Sequence, residues 1–181
     1  MTDPAAVTII QPASRQKLFE RLAELGIETV TVEHRPLFTV ADSADLEREL
    51  SGAHTKNLFL KDDKGALFLV VAQSTTKVDL KGLSRQFGAG RFSFGKPELL
   101  LEVLGVTPGS VTAFAVMNDD ALRVRVIIDA ALMAHDTINC HPLENTATTS
   151  IAREDLLRFI RAGGHQLTIE TLSRVEDRPP P

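Results

Sequence analysis

The sequence is poor in sulfur. Its one cysteine, Cys140 among 181 residues, has no partner for an internal disulfide, and the paired cysteine spacing of structural zinc sites is missing. No run of about 18 apolar residues is present to span a bilayer. The opening MTDPAAVTIIQPASRQ lacks both the basic start and the long apolar stretch of a secretory signal. A basic excess is also missing: 20 Lys and Arg stand against 24 Asp and Glu, a formal charge of −4, which argues against coating nucleic acid through bulk electrostatics. These absences predict a cytoplasmic protein with no membrane contact, no cofactor and no metal, whose contact with nucleic acid, where it has one, is local. His54, His135 and His141 do not change the metal reading, because their spacings match no helical pair of ligands.

What is present suffices for one folded unit, since 43% of the residues are hydrophobic. Ser14 is placed to cap a helix carrying Leu18, Leu22 and Leu25, with Gly26 as its stop. Residues 27–32 alternate as a half-buried strand, and a short helix follows over 42–50. HTKNLFLKDDKGALFLVVA reads as a hairpin whose second arm, residues 67–72, is apolar on both faces, as in a central strand covered on each side. Asp79 or a neighbour starts a short helix through Phe87, GAGRFSFG contains a short strand, and Pro97 and Gly105 bracket another helix. Residues 111–117 and 124–128 are expected to form a second hairpin around Asn118-Asp119-Asp120, and 136–151 to hold two more strands. REDLLRFIRAGG closes the series as a helix with acids first and glycines last, and DRPPP is a disordered end. Helices intermixed with hairpins predict an α+β, mixed α/β domain.

Three places could carry chemistry. Lys56 and Asn57 stand at the mouth of the apolar hairpin; alternation puts Lys56 beside Leu58 and Leu60, and Asn57 with Phe59. A lysine there either snorkels to water or serves a site. GVTPGS, Gly105 to Ser110, is either a helix stop with a Pro-Gly turn or a loop whose backbone N–H groups meet an oxyanion. In NCHPLENTATT, His141 and Asn145 are either loop residues or pocket groups, and Cys140 is read as buried filler. A fourth feature is charge: from Lys77 to Lys96 five basic residues face one acid, and in a helix Lys77, Lys81 and Arg85 would share one face, either solvated or tracking phosphates.

Taken in order, GAHTKNLFLKD, LFLVVA, FGKPELLLEVLGVTPGSVTAFAVMND and CHPLENTATTSI resemble the YbaK-like aminoacyl-tRNA editing domains, and among them the freestanding prolyl-tRNA editing proteins. The similarity runs from about Leu18 to about Gly164. The resemblance implies an editing domain over residues 14–172, between an extension at 1–13 and a disordered tail at 173–181. It implies hydrolysis of the ester joining a wrong amino acid, alanine first, to tRNA(Pro). Cys-tRNA(Pro) or another misacylated tRNA is the alternative substrate, and a non-catalytic binding module of the same fold is the alternative class. Lys56 falls on the family's essential lysine, with Gly105 and Gly109 in its glycine loop. Asn57, Thr107, Pro108, Ser110, His141 and Asn145 fall around the substrate, and Lys77, Lys81 and Arg85 are assigned to tRNA. The acceptor end of mischarged tRNA(Pro) is the implied partner, with transient association to prolyl-tRNA synthetase or an elongation factor. Ala113 departs from the pattern, standing where relatives often carry a proline.

Overall fold

Local chemistry sets the helices of the computed structural model, which describes residues 14–174. The extension at 1–13 and the tail beyond Arg174 lie outside the described residues. Helix α1 (Arg15–Glu24) opens on Ser14, whose hydroxyl accepts the Lys17 N–H, and Gly26 follows it at φ 66°. Helix α2 (Val40–Glu49) begins in a capping box, with the Thr39 and Asp42 side chains each taking the other's backbone N–H. Asp79 caps α3 (Leu80–Gln86) through the Gly82 N–H, and Pro97 opens α4 (Pro97–Leu104), which Gly105 ends at φ 64°. Helix α5 (Arg153–Ala162) carries Glu154 and Asp155 in its first turn.

The strands are β1 (Thr29–Glu33), β2 (Ala53–Lys61), β3 (Leu67–Gln73), β4 (Ser93–Phe94), β5 (Val124–Asp129), β6 (Thr137–Cys140), β7 (Ala147–Ala152) and β8 (Leu167–Glu170). They form one sheet in the order β1-β7-β6-β2-β3-β5-β8, with β4 added to β2. The pairs β1–β7, β7–β6, β2–β3 and β2–β4 are antiparallel; β6–β2, β3–β5 and β5–β8 are parallel. The sheet is mixed and mainly antiparallel, within the α+β, mixed α/β domain that the pattern predicts.

Strand β3 explains the layering. Leu67, Leu69 and Val71 point into the larger core with α1, α4 and α5, where the Phe114 and Phe159 rings meet edge to face at 5.3 Å. Phe68, Val70 and Ala72 point into a smaller core under α3. A strand buried on both faces has no polar side to show, hence its unbroken apolar run.

Two expectations need correction. Residues 111–117 are not a hairpin arm: Thr112 caps a 3₁₀ helix, Ala113–Asn118, and β5 pairs in parallel with β3 and β8. Ala113 through Val116 are buried, and a short, fully buried apolar run carries no periodicity to separate strand from helix. Ala113 therefore opens a helical turn beyond the glycine loop, at a position that suits alanine as well as proline. Lys77 also leaves the expected stripe. It lies two residues ahead of the Asp79 cap, so only Lys81 and Arg85 share a face of α3. Strand β8 has no counterpart in the sequence reading.

Candidate functional site

Strands β2 and β6 stay together for only two residue pairs, Ala53 with Ile138 and His54 with Asn139. One further tie follows, the Thr55 hydroxyl donating to the Asn139 carbonyl at 2.8 Å, and then the strands part. Strand β4 closes on β2 only at Leu60 and Lys61, with the Gly95 N–H on the Phe59 carbonyl. Between these points the edge of β2 has no strand beside it among the described residues, and a cavity of about 610 Å³ opens there. His54, Thr55, Lys56 and Asn57 line it from β2, Asn139, Cys140 and His141 from the β6 end, and Leu37, Phe38, Thr39 and residues of α2 from the rim. Gly109 completes the wall.

Lys56 and Asn57 alternate on β2, yet both reach this cavity because it opens at the strand's edge rather than over one face. Lys56 is half-buried, and Glu47 and Ser74 line the same cavity. The Asn57 Oδ1 is shielded from solvent and has no hydrogen-bond partner among the described residues. A buried acceptor left in this state costs free energy, and Asn57 belongs to the cavity lining.

His141 is fixed by its backbone contact. Its Nδ1 lies 3.2 Å from the Ala147 carbonyl, which can only accept, so Nδ1 carries the proton. Burial holds its pKa below the ordinary histidine range, and the neighbouring His34 and His54 push the same way. The ring is therefore neutral at pH 7, with an Nε2 lone pair to offer. Leu143, two residues on, sits at φ 68°, a left-handed conformation that costs a non-glycine residue about 1–2 kcal/mol. The left-handed residue turns the chain between His141 and Asn145, and the surrounding contacts hold it there.

The glycine loop contributes less than its sequence suggests. The Gly105 N–H is spent on Leu101 as the end of α4, and the Ser110 N–H on the Thr107 carbonyl. Thr107 and Pro108 are exposed, and neither they nor Gly105 nor Ser110 lines the cavity. Only Gly109 does, at φ 90°. A Cβ there would meet the Asn145 Nδ2 at an ordinary 3.5 Å, so backbone conformation rather than space calls for glycine. Asn145 is likewise occupied: its Nδ2 donates to the Leu37 carbonyl at 2.7 Å and its Oδ1 accepts the Leu37 N–H at 3.3 Å. It shapes the rim rather than filling the cavity.

Cys140 is buried and its thiol is pushed up to about 12, so it stays protonated and unreactive. His135 is outside the cavity, and among the described residues no three His, Cys, Asp or Glu side chains converge as a metal site would need. Lys81 and Arg85 line a separate cleft of about 540 Å³ between α3 and residues 171–174, with Arg174 opposite. Glu47, Ser74 and Phe38 are lining residues that sequence reasoning missed. For Phe38 a signal existed: it precedes a capping box, but Ser43 stands where the apolar partner of such a residue usually sits.

Comparison with known proteins adds four findings. A family model described as the aminoacyl-tRNA editing domain matches residues 34–159. The chain is 41% identical over 153 residues to prolyl-tRNA synthetase associated domain-containing protein 1 of Danio rerio, covering 83% of each chain. It is 35% identical to the prolyl-tRNA editing protein ProX of Acetoanaerobium sticklandii, over 84% of this chain and 93% of that one. A solved structure described as a candidate trans-editing enzyme for prolyl-tRNA synthetase shares the fold at a TM-score of 0.68 and 18% identity, over 88% of this chain and 96% of that one.

Proposed function

The chain belongs to the aminoacyl-tRNA editing domain family, and from that membership we propose that it is a deacylase acting in trans, which hydrolyses alanine from mischarged tRNA(Pro). The observation that carries this reading is the meeting of Lys56, Asn57, Gly109 and His141 in one cavity, contributed by three distant stretches of chain.

An aminoacyl ester is already activated, so hydrolysis needs water, an orienting site and stabilisation of the oxyanion, but no protein nucleophile. Water adds to the carbonyl carbon, the ester C–O bond breaks, and the proton passes to the departing ribose oxygen. The relay of that proton is assigned to the neighbouring ribose hydroxyl, which stands next to the departing oxygen, rather than to Glu47 or His141 of the lining. Lys56 meets the terminal phosphate or the reacting carbonyl with its positive charge. The Gly109 N–H, which has no acceptor among the described residues, faces the developing oxyanion. Asn57 takes a substrate N–H or O–H on its unsatisfied carbonyl, and neutral His141 accepts through Nε2 and shapes the pocket.

Alanine is the assigned amino acid because a synthetic pocket built for proline cannot exclude something smaller, and the lost contact is worth only about 1–3 kcal/mol. A second site can instead reject proline by overpacking. Lys81 and Arg85 are assigned to acceptor-stem phosphates, with Lys77 beside them. Encounter with the substrate in the cytoplasm, near prolyl-tRNA synthetase or before capture by an elongation factor, follows from acting in trans. Single-turnover hydrolysis of Ala-, Cys-, Ser- and Pro-charged tRNA(Pro) tests the assignment. Fast release of alanine and retention of proline are expected; equal rates would refute the size sieve, and a preference for the cysteinyl ester would replace alanine by cysteine.

A further inference from the structure

We propose that Phe38 is the platform on which the terminal nucleobase of the acceptor end stacks. The inference rests on the deacylase reading and names a subsite of the same cavity. Phe38 is 80% exposed, more than any other large apolar side chain recorded as exposed, and it lies at the cavity rim rather than on a remote surface. A free phenyl ring on a loop normally folds back onto apolar neighbours. Here the usual neighbour is missing, because Ser43 occupies the position from which an apolar side chain would staple the residue before the helix cap.

The backbone beneath the ring is held firmly. Asn145 grips both polar groups of Leu37, at 2.7 and 3.3 Å, and the Phe38 N–H donates to the Asp42 carboxylate at 3.3 Å. Asp42 also closes the capping box and pairs with Arg35 at 2.9 Å. Three side chains thus fix a segment whose phenyl ring is left facing out, the arrangement of a preorganised binding surface.

The chemistry of the substrate decides the occupant. The aminoacyl group must reach Lys56 and Asn57, the phosphate calls for a cation, and the ribose for polar groups. The remaining moiety, a flat base with an apolar face, is what an unpartnered aromatic ring accepts without regard to hydrogen-bond pattern. The competing occupant of an exposed phenyl ring is a second copy of the chain.

The sequence contains neither tryptophan nor tyrosine, so Phe38→Trp places a single reporter at the platform. Titration with an uncharged minihelix ending in CCA should quench its fluorescence, and a minihelix abasic at the last nucleotide should quench far less. In the deacylation assay Phe38→Ala should raise KM about 5- to 150-fold, corresponding to about 1–3 kcal/mol for one base stacked on an aromatic ring, with a much smaller change in kcat. Phe38→Trp should restore KM. Equal quenching by the two minihelices, or an unchanged KM in an active Phe38→Ala enzyme, would overturn the platform. A fluorescence change that follows protein concentration without RNA would overturn it in favour of self-association. If the wild-type protein hydrolyses no charged tRNA, the deacylase reading fails by itself, and the minihelix titration still decides the platform.

Discussion

Replacing Asn57 by valine should make the protein more stable and less active at once. The Asn57 Oδ1 is buried without a partner, whereas in the unfolded chain water satisfies it, so folding bears a desolvation cost of about 1–3 kcal/mol at this atom. Valine removes the oxygen and suits a strand, so most of that cost should be recovered. For a domain of this size about 1 kcal/mol shifts the midpoint by about 2–4 °C, which places the expected rise in Tm at about 2–10 °C. The same oxygen is the acceptor assigned to the substrate, and its loss should lower kcat/KM by about 10- to 100-fold, the equivalent of one hydrogen bond left unmade. Thr55→Val supplies a control of opposite sign two residues away. Its hydroxyl donates to the Asn139 carbonyl at 2.8 Å, so removing it should cost about 1 kcal/mol. Thermal melts by circular dichroism and single-turnover deacylation read both quantities. A fall in Tm for Asn57→Val would refute the reasoning, because it would show that the fold itself uses the oxygen.

Lys56→Ala should remain folded and lose most deacylation, since a half-buried lysine at a strand edge contributes little packing; near-normal single-turnover rates in a folded variant would remove Lys56 from the mechanism. His141 should impose a pH dependence on stability. Its folded pKa lies below the ordinary 6.5, so its contribution is complete above pH 6.5 and is lost as pH falls from there through the folded value. Urea midpoints measured at pH 7 and pH 5 should therefore converge between wild type and His141→Gln, and a constant gap would refute this. Replacing Lys81 and Arg85 together by alanine should weaken tRNA binding and flatten its salt dependence by up to about two phosphate contacts; an unchanged slope would return that face of α3 to ordinary solvation.

Local interactions made much of this protein legible in its sequence. Ser14, Asp79, Pro97 and Gly105 each satisfy helix ends within a turn of themselves, and the doubly buried β3 announced its central place through an apolar run with no polar face. Lys56 and Asn57 were conspicuous for a related reason, a polar pair interrupting that pattern. Tertiary structure alone decided that β5 runs parallel to β3, that β8 closes the edge, and that Ala113–Asn118 is a 3₁₀ turn. It also decided which glycine matters: Gly105 is used up ending α4, and Gly109 reaches the cavity. The cavity itself depends on where β2 leaves β6, and Phe38 gains meaning only from standing at its rim. Periodicity and capping report on neighbours a few residues apart, whereas strand partnership is settled by contacts between segments some 85 residues apart in the chain, such as Thr55 and Asn139. Side-chain alternation tells which face a strand buries; it does not tell which strand lies beside it, or where that neighbour ends.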